Sequence, residues 1–247
     1  MDPVAVVAVG LGVGFISGLF GKGGSAIATP LLHAIGVPAI VAVASPLPAT
    51  FPSTLAAYSA YWSHHLVYGR VFRWTVAIGV PSTVLGALAT RWIDGHALVL
   101  ATDVILIVLG IRFLFSTPSP ARMRSEPSRS RLRLSAVALV VGFLSGLLAN
   151  SGGFLLVPLY LVVIRLPIKE ALASSLAVAA VLALPSTITH AALGHIDWGL
   201  VAVFALASTP LSYVGARVAL RTDSSRLERL YGLMLAVGGT FFLTFGR

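Results

Sequence analysis

The sequence predicts an all-α polytopic membrane protein. It reads as two pseudo-symmetric, inverted repeats of about five segments each, with one short or re-entrant helix per repeat. Three observations carry this. Of the 247 residues 57% are hydrophobic and 10% charged, with mean hydropathy +0.95; a soluble domain this apolar could not cover itself with polar groups. The apolar residues gather into runs, several near the roughly 20 residues that cross a hydrocarbon core. Finally, Gly14 and Gly142, Ser17 and Ser145, Gly18 and Gly146, and Pro30 and Pro158 are each separated by 128 positions, the mark of a duplication.

The first run, near 4–20, follows Asp2 rather than a basic cluster and precedes no small-residue cleavage site. It is expected to be the first membrane helix, not a signal peptide. A short run at 25–36 follows, then 39–62, broken by Pro46, Pro48 and Pro52, then 72–91 and 97–115. The second set runs 134–149, 153–164, 170–192, 199–220 and 228–245, with the same order of long and short segments. Ser45 with Ser174, His65 with His190, Gly69 with Gly194, Pro81 with Pro210 and Gly86 with Gly215 extend the match. Residues 1–115 thus form a first membrane repeat, 116–133 a basic cytoplasmic loop and 134–247 a second repeat.

The net charge of +9 does not point to nucleic acid, because Arg122, Arg124, Arg129, Arg131 and Arg133 crowd into one Pro/Ser-rich stretch. Such clusters are typical of cytoplasmic loops, with acidic lipid headgroups as their contacts. Five crossings per half turn the second half upside down. With 116–133 inside, Lys22, Arg70, Arg73, Arg165, Lys169, Arg221, Arg226 and Arg229 fall on the same side. Residues 36–38, 150–151 and 195–197, all without Lys or Arg, fall outside, and Arg91 alone opposes the pattern. The short runs, about 12 residues or roughly 18 Å each, fall short of the roughly 30 Å hydrocarbon core. Re-entrant hairpins with four crossings per half are the alternative, and they would leave Arg221–Arg229 outside.

Short segments interrupted by glycine and proline at matching places are the sequence pointer to a transporter's substrate site. A helix that starts below the membrane surface leaves its first N–H groups without acceptors, and its positive end favours an anion. Gly23, Gly24 and Ser25 supply one such start; Ser151, Gly152 and Gly153 supply the other. Lys22 adds a full positive charge and Asn150 a side-chain donor. The competing reading is glycine-mediated helix packing, with Lys22 snorkelling to the headgroups. Ser45, Thr50, Ser174 and Ser175 are the next candidate substrate contacts, unless their hydroxyls serve carbonyls freed by proline. His65 and His190, each four residues before a glycine, are candidates for carrying a coupled proton. Asp103 is the only carboxylate well inside an apolar run. Cation pathways display acids, so an anionic substrate fits this chain better.

The doubled motif, "GFISGLFGKGGSAIATP" and "GFLSGLLANSGGFLLVP", resembles the sulfite exporter TauE/SafE family of membrane permeases over nearly the whole chain. Both copies depart from that family's G-x-G-G-G pattern. The resemblance implies a permease for sulfite, thiosulfate, sulfonates or other sulfur-containing or organic anions, with proton coupling supposed. The expected partners are therefore a small anionic substrate and the lipid bilayer, with no nucleic acid; a homo-oligomer is compatible with the sequence. A multi-pass place in the cytoplasmic (inner) membrane is expected.

The chain has no cysteine, which excludes disulfides and thiolate chemistry. No metal or other cofactor is expected. "GKGG" lacks P-loop spacing, His64-His65 lacks the H-E-x-x-H context, and no G-x-S-x-G stands in the chain. The sequence therefore predicts no enzyme but a secondary transporter of a small anion working by alternating access. A passive anion channel, or less readily a membrane-embedded enzyme, remains the alternative.

Overall fold

A computed structural model describes residues 3–21, 25–62, 64–94, 131–149 and 151–245, with scattered positions between 96 and 111. At 25–26 and 235–245 it describes the backbone alone. The predicted segment 97–115 and most of the basic loop 116–133 lie outside the described residues. Every regular element among the described residues is helical. The first half contains α1 (Pro3–Phe20), α2 (Ser25–Ala34), α3 (Ala39–Ala44), α4 (Pro46–Trp62) and α5 (Gly69–Ala89). The second contains α6 (Arg131–Leu147), α7 (Gly153–Leu159, continued by a π-helical turn at Tyr160–Ile164), α8 (Ile168–Ala192), α9 (Trp198–Arg221) and α10 (Ser224–Phe245).

Five of the described helical segments are long and apolar enough to cross a membrane. Their outward faces are apolar too: Leu206 is 80% exposed and Ile188 69%. Lipid, not water, suits such a face. Arg131 and Arg133 prove to be helical, so α6 begins inside the stretch read as loop. The Arg131 guanidinium lies 5.8 Å from the centre of the Trp74 ring, an interaction that gives this basic residue a place on the bundle.

Small residues set the closest helix crossings. A Cβ on Gly14 or Gly18 of α1 would overlap the backbone of Ser208 or Ser212 on α9. The same relation recurs where Gly142 meets Gly79 and Gly146 meets Thr83, joining α6 to α5. Gly215 closes on Phe15, and its match Gly86 closes on Phe143. Without a hydrophobic force between helices in lipid, such backbone-to-backbone approach supplies the packing. In each crossing the residue numbers rise together, so α1 runs parallel to α9, and α6 parallel to α5.

Hydrogen bonds extend this pattern. The Asp197 N–H donates to Ser45 Oγ at 2.9 Å, and the Tyr68 N–H donates to Ser174 Oγ at 3.0 Å. Ser53 Oγ meets Ser208 Oγ at 2.9 Å. Two contacts along α4 and α9, in the same order, make those helices parallel. Likewise Ser174 beside Tyr68, and Leu182 against Gly79, align α8 with α5. Thus α1, α4 and α9 run one way, and α5, α6 and α8 run the other. Lys169, at the start of α8, donates to the Leu220 carbonyl near the end of α9 at 2.8 Å, consistent with those opposed directions.

The spatial match revises one expectation. Gly69 and Trp198 both open helices, an offset of 129 that also relates Ser45 to Ser174. On that register His65 corresponds to Gly194, and both have left-handed backbones, φ 50° and 74°. The counterpart of His190 is Tyr61. Pairing His65 with His190 and Gly69 with Gly194 followed an alignment four residues out of register, because the glycine-after-histidine pattern was read without the turn geometry.

Candidate functional site

The two glycine breaks share a geometry. Gly21 and Ala149, 128 positions apart, both take positive φ, 66° and 42°, and so turn the chain back after α1 and α6. Gly152 is left-handed as well, φ 73°; a Cβ there would overlap Ser145 Oγ. Only glycine satisfies both demands at this point. The helix it opens, α7, starts in the interior: Ser151, Gly152 and Gly153 are buried. Its first backbone N–H groups lack intrahelical acceptors by position.

Buried hydroxyls stand at this start and on the helices packed against α6 and α7: Ser145 meets Gly152, Thr83 lies at the Gly146 crossing, and Ser186 is on α8. Ser145, Thr83 and Ser186 have no hydrogen-bond partner among the described residues. The first half repeats the arrangement with Ser17 and Ser212, also buried and without a partner among the described residues. Ser17 matches Ser145, and Ser212 matches Thr83. A buried hydroxyl without a partner costs about 1–3 kcal/mol, so any group that hydrogen-bonds to these two matched pairs is stabilised there. Sequence reading saw the Ser17–Ser145 spacing but took it only as a sign of duplication. Thr83 and Ser212 were missed because the match pairs two different hydroxyl residues.

His190 adds the one buried imidazole. Its Nε2 lies 3.1 Å from the Gly146 carbonyl and its Nδ1 lies 3.1 Å from His195 Nδ1. A carbonyl only accepts, so Nε2 carries hydrogen. With His190 neutral, Nδ1 accepts and His195 donates from its own Nδ1. His195 sits in the turn between α8 and α9, half-buried, where burial lowers its pKa from 6.5. The pair thus links the turn outside the helices to the carbonyl of Gly146. His195 escaped the sequence reading, having been seen only as part of an outer loop.

The structure describes only some of the remaining predicted residues. Lys22, Gly23, Gly24 and Asn150 lie outside the described residues, and Ser25 is described in backbone only, as the first residue of α2. Ser175 Oγ donates to the Gly21 carbonyl at 2.8 Å, fixing the first break against α8. Ser45 and Ser174 accept the loop N–H groups already described, so their oxygens hold loops. Thr50 Oγ1 donates to the Pro46 carbonyl at 3.2 Å, the backbone-serving role that the sequence left open. His65 is exposed and borders a cavity of about 270 Å³ with Tyr58, Tyr61 and Trp62, at the opposite end of the bundle from His190.

Ser175 and His190 mark two levels of α8, fifteen positions apart, about 22 Å at helical rise. Between those levels Tyr231 stands against both breaks: its ring lies 5.6 Å from that of Phe20, at the end of α1, and its hydroxyl donates to the Phe154 carbonyl, at the start of α7, at 3.4 Å. Nearby α4 and α9 meet at the Ser53–Ser208 contact, with Thr209 Oγ1 at 3.5 Å from Ser53 Oγ.

The model of the family described as Sulfite exporter TauE/SafE matches residues 6–242. The chain belongs to the sulfite exporter TauE/SafE family. A probable membrane transporter protein of Xylella fastidiosa (strain 9a5c) is 31% identical over 241 residues, covering 93% of this chain and 91% of that one. The probable membrane transporter protein YjnA of Bacillus subtilis (strain 168) is 25% identical, with 96% and 98% covered. A similarly named protein of Methanocaldococcus jannaschii is 24% identical, with 96% and 94% covered. No solved structure matches. Family membership and the long apolar helices together make this a multi-pass membrane protein.

Proposed function

We propose that this TauE/SafE protein is a secondary transporter of a small anion, sulfite or another sulfur oxyanion or sulfonate, in the cytoplasmic membrane. The two halves act as inverted repeats and rock about the α4–α9 contact in alternating access. The observation that carries this reading is the doubled break, each flanked by a matched pair of buried hydroxyls without a partner among the described residues. The opposed directions of α1 and α6, of α4 and α8, and of α5 and α9 support the inversion.

The anion binds where the two breaks approach each other, beside Tyr231. Lys22, Gly23, Gly24 and Ser25 with Ser17 and Ser212 receive it from one half. Asn150, Ser151, Gly152 and Gly153 with Ser145 and Thr83 receive it from the other. Hydroxyls and helix starts suit an oxyanion, whose oxygens accept several hydrogen bonds. His190, touching the backbone beside the second start, carries the coupled proton, with His195 as its exchange partner.

Uptake of labelled sulfite and, separately, sulfate into proteoliposomes, with and without an imposed pH gradient, tests the proposal. A carrier saturates, shows counterflow and responds to the gradient if protons are coupled. Linear flux without counterflow would assign a channel instead. Lys22→Ala should weaken sulfite binding more at low than at high ionic strength; an unchanged dissociation constant removes that residue from the path.

A further inference from the structure

At the end of the bundle where α4 finishes and α9 finishes, Ser59, Ala60, His64, Arg217, Leu220 and Arg221 line a cavity of about 340 Å³. Its size falls in the range of small-molecule sites, and its charged lining is entirely cationic. Neither guanidinium has a carboxylate partner among the described residues. Asp223, the nearest acid in sequence, instead accepts from the Ser225 N–H at 3.1 Å and from the Ser225 hydroxyl.

The end of a helix is negative and would repel an anion. Here that effect is countered: the Lys169 ammonium holds the Leu220 carbonyl, and the Thr222 hydroxyl donates to the Val218 carbonyl at 2.8 Å. Arg217 is held in place by its own helix, donating to Tyr213 Oη and lying 5.0 Å from the centre of that ring. Leu206, Val214 and Val218 are exposed on α9, so an apolar face adjoins the cationic one.

The duplication supplies a control within the molecule. On the 129-residue register, Ser59, Ala60, His64, Arg217, Leu220 and Arg221 correspond to Ile188, Thr189, Leu193, Leu88, Arg91 and Trp92. The matching place at the other end of the bundle therefore keeps one arginine, at another position, and no histidine. The repeat by itself does not require the paired arginines of this cavity.

We propose that this cavity binds an anionic phosphate group, supplied by an acidic glycerophospholipid of the adjoining leaflet. The guanidinium groups of Arg217 and Arg221 donate charge-assisted hydrogen bonds to the phosphate oxygens, and His64 closes the site from the turn after α4. The acyl chains follow Val214 and Leu206 along α9. Because the cavity joins α4 to α9, an occupied site braces a helix pair that the proposed rocking motion uses.

The test is lipid titration of the purified protein in a neutral detergent, read by unfolding temperature and by native mass spectrometry. Phosphatidylglycerol should bind saturably and raise the unfolding temperature by about 2–4 °C, while phosphatidylcholine should not. Arg217→Gln with Arg221→Gln should weaken phosphatidylglycerol binding at least about tenfold. Arg226→Gln, at the same end but outside the cavity, should leave it unchanged. Equal responses to both lipids, or an undiminished phosphatidylglycerol response in the double variant, overturn the proposal. Saturable protection by inorganic phosphate that the double variant abolishes would keep the phosphate chemistry and overturn the lipid source. Should the double variant fail to fold, His64→Glu places a carboxylate opposite the guanidinium groups; undiminished lipid binding in it also overturns the proposal.

Discussion

His190 donates its Nε2–H to the carbonyl of Gly146 at 3.1 Å, tying α8 to the end of α6 beside the second glycine break. This bond sets the tautomer and satisfies a buried acceptor at the tightest point of the α5–α6 crossing. His190→Ala should lower stability by about 0.5–1.5 kcal/mol, the net worth of one hydrogen bond, because the Gly146 carbonyl still accepts from the Ala149 N–H at 3.2 Å. His190→Gln, which retains an N–H donor, should recover part of it. Denaturation in detergent measures both, and sulfite uptake by the Gln variant separates the structural role from proton coupling.

The His195 pKa lies below 6.5 because burial disfavours the charged ring. A histidine with a depressed folded-state pKa contributes stability that is fully present above 6.5 and is lost as pH falls towards the folded value. The unfolding temperature should therefore drop on acidification through this window. His195→Gln should flatten that part of the profile. An unchanged profile would show that the ring gains its proton without cost to the fold.

Glycines of α1 should divide by contact. A Cβ at Gly12 meets nothing within 4 Å, whereas one at Gly18 overlaps the Ser212 backbone. Gly12→Ala should be neutral or stabilising by about 0.5–1 kcal/mol. Gly18→Ala should destabilise by about 1–3 kcal/mol, as overpacking does, and Gly146→Ala should do the same at the matching crossing. Parallel melts of the three variants decide this.

Gly152 faces two penalties and Gly36 one. Gly36 has φ 90° but open space around its Cβ position, while Gly152 has both positive φ and the Ser145 overlap. Alanine should therefore cost more at 152 than at 36 in thermal stability. Gly152→Val should abolish uptake while the protein still reaches the membrane, as measured by transport and membrane fractionation.

The absence of native cysteine permits single-cysteine labelling. Cysteines at Pro38 and Gly199 should react with an impermeant maleimide from one side of the membrane, and a cysteine at Thr222 from the other. Labelling of all three from one side would reject the proposed topology.

The sequence by itself determined the membrane class, the family and the segment order, because apolar run length and repeated glycines act locally and leave a linear trace. The short runs at 25–36 and 153–164 were legible for that reason, as were the Pro81–Pro210 and Gly86–Gly215 matches. Tertiary structure alone decided how these pieces meet. It paired Tyr61 rather than His65 with His190, because left-handed turns at His65 and Gly194 fix the register. It gave Ser45 and Ser174 to loop N–H groups, left Ser17, Thr83, Ser145 and Ser212 without a partner among the described residues, and set Tyr231 between the two breaks. A hydroxyl's role depends on which donor or acceptor lies about 3 Å away, and residues more than a hundred positions distant in the chain supply that neighbour.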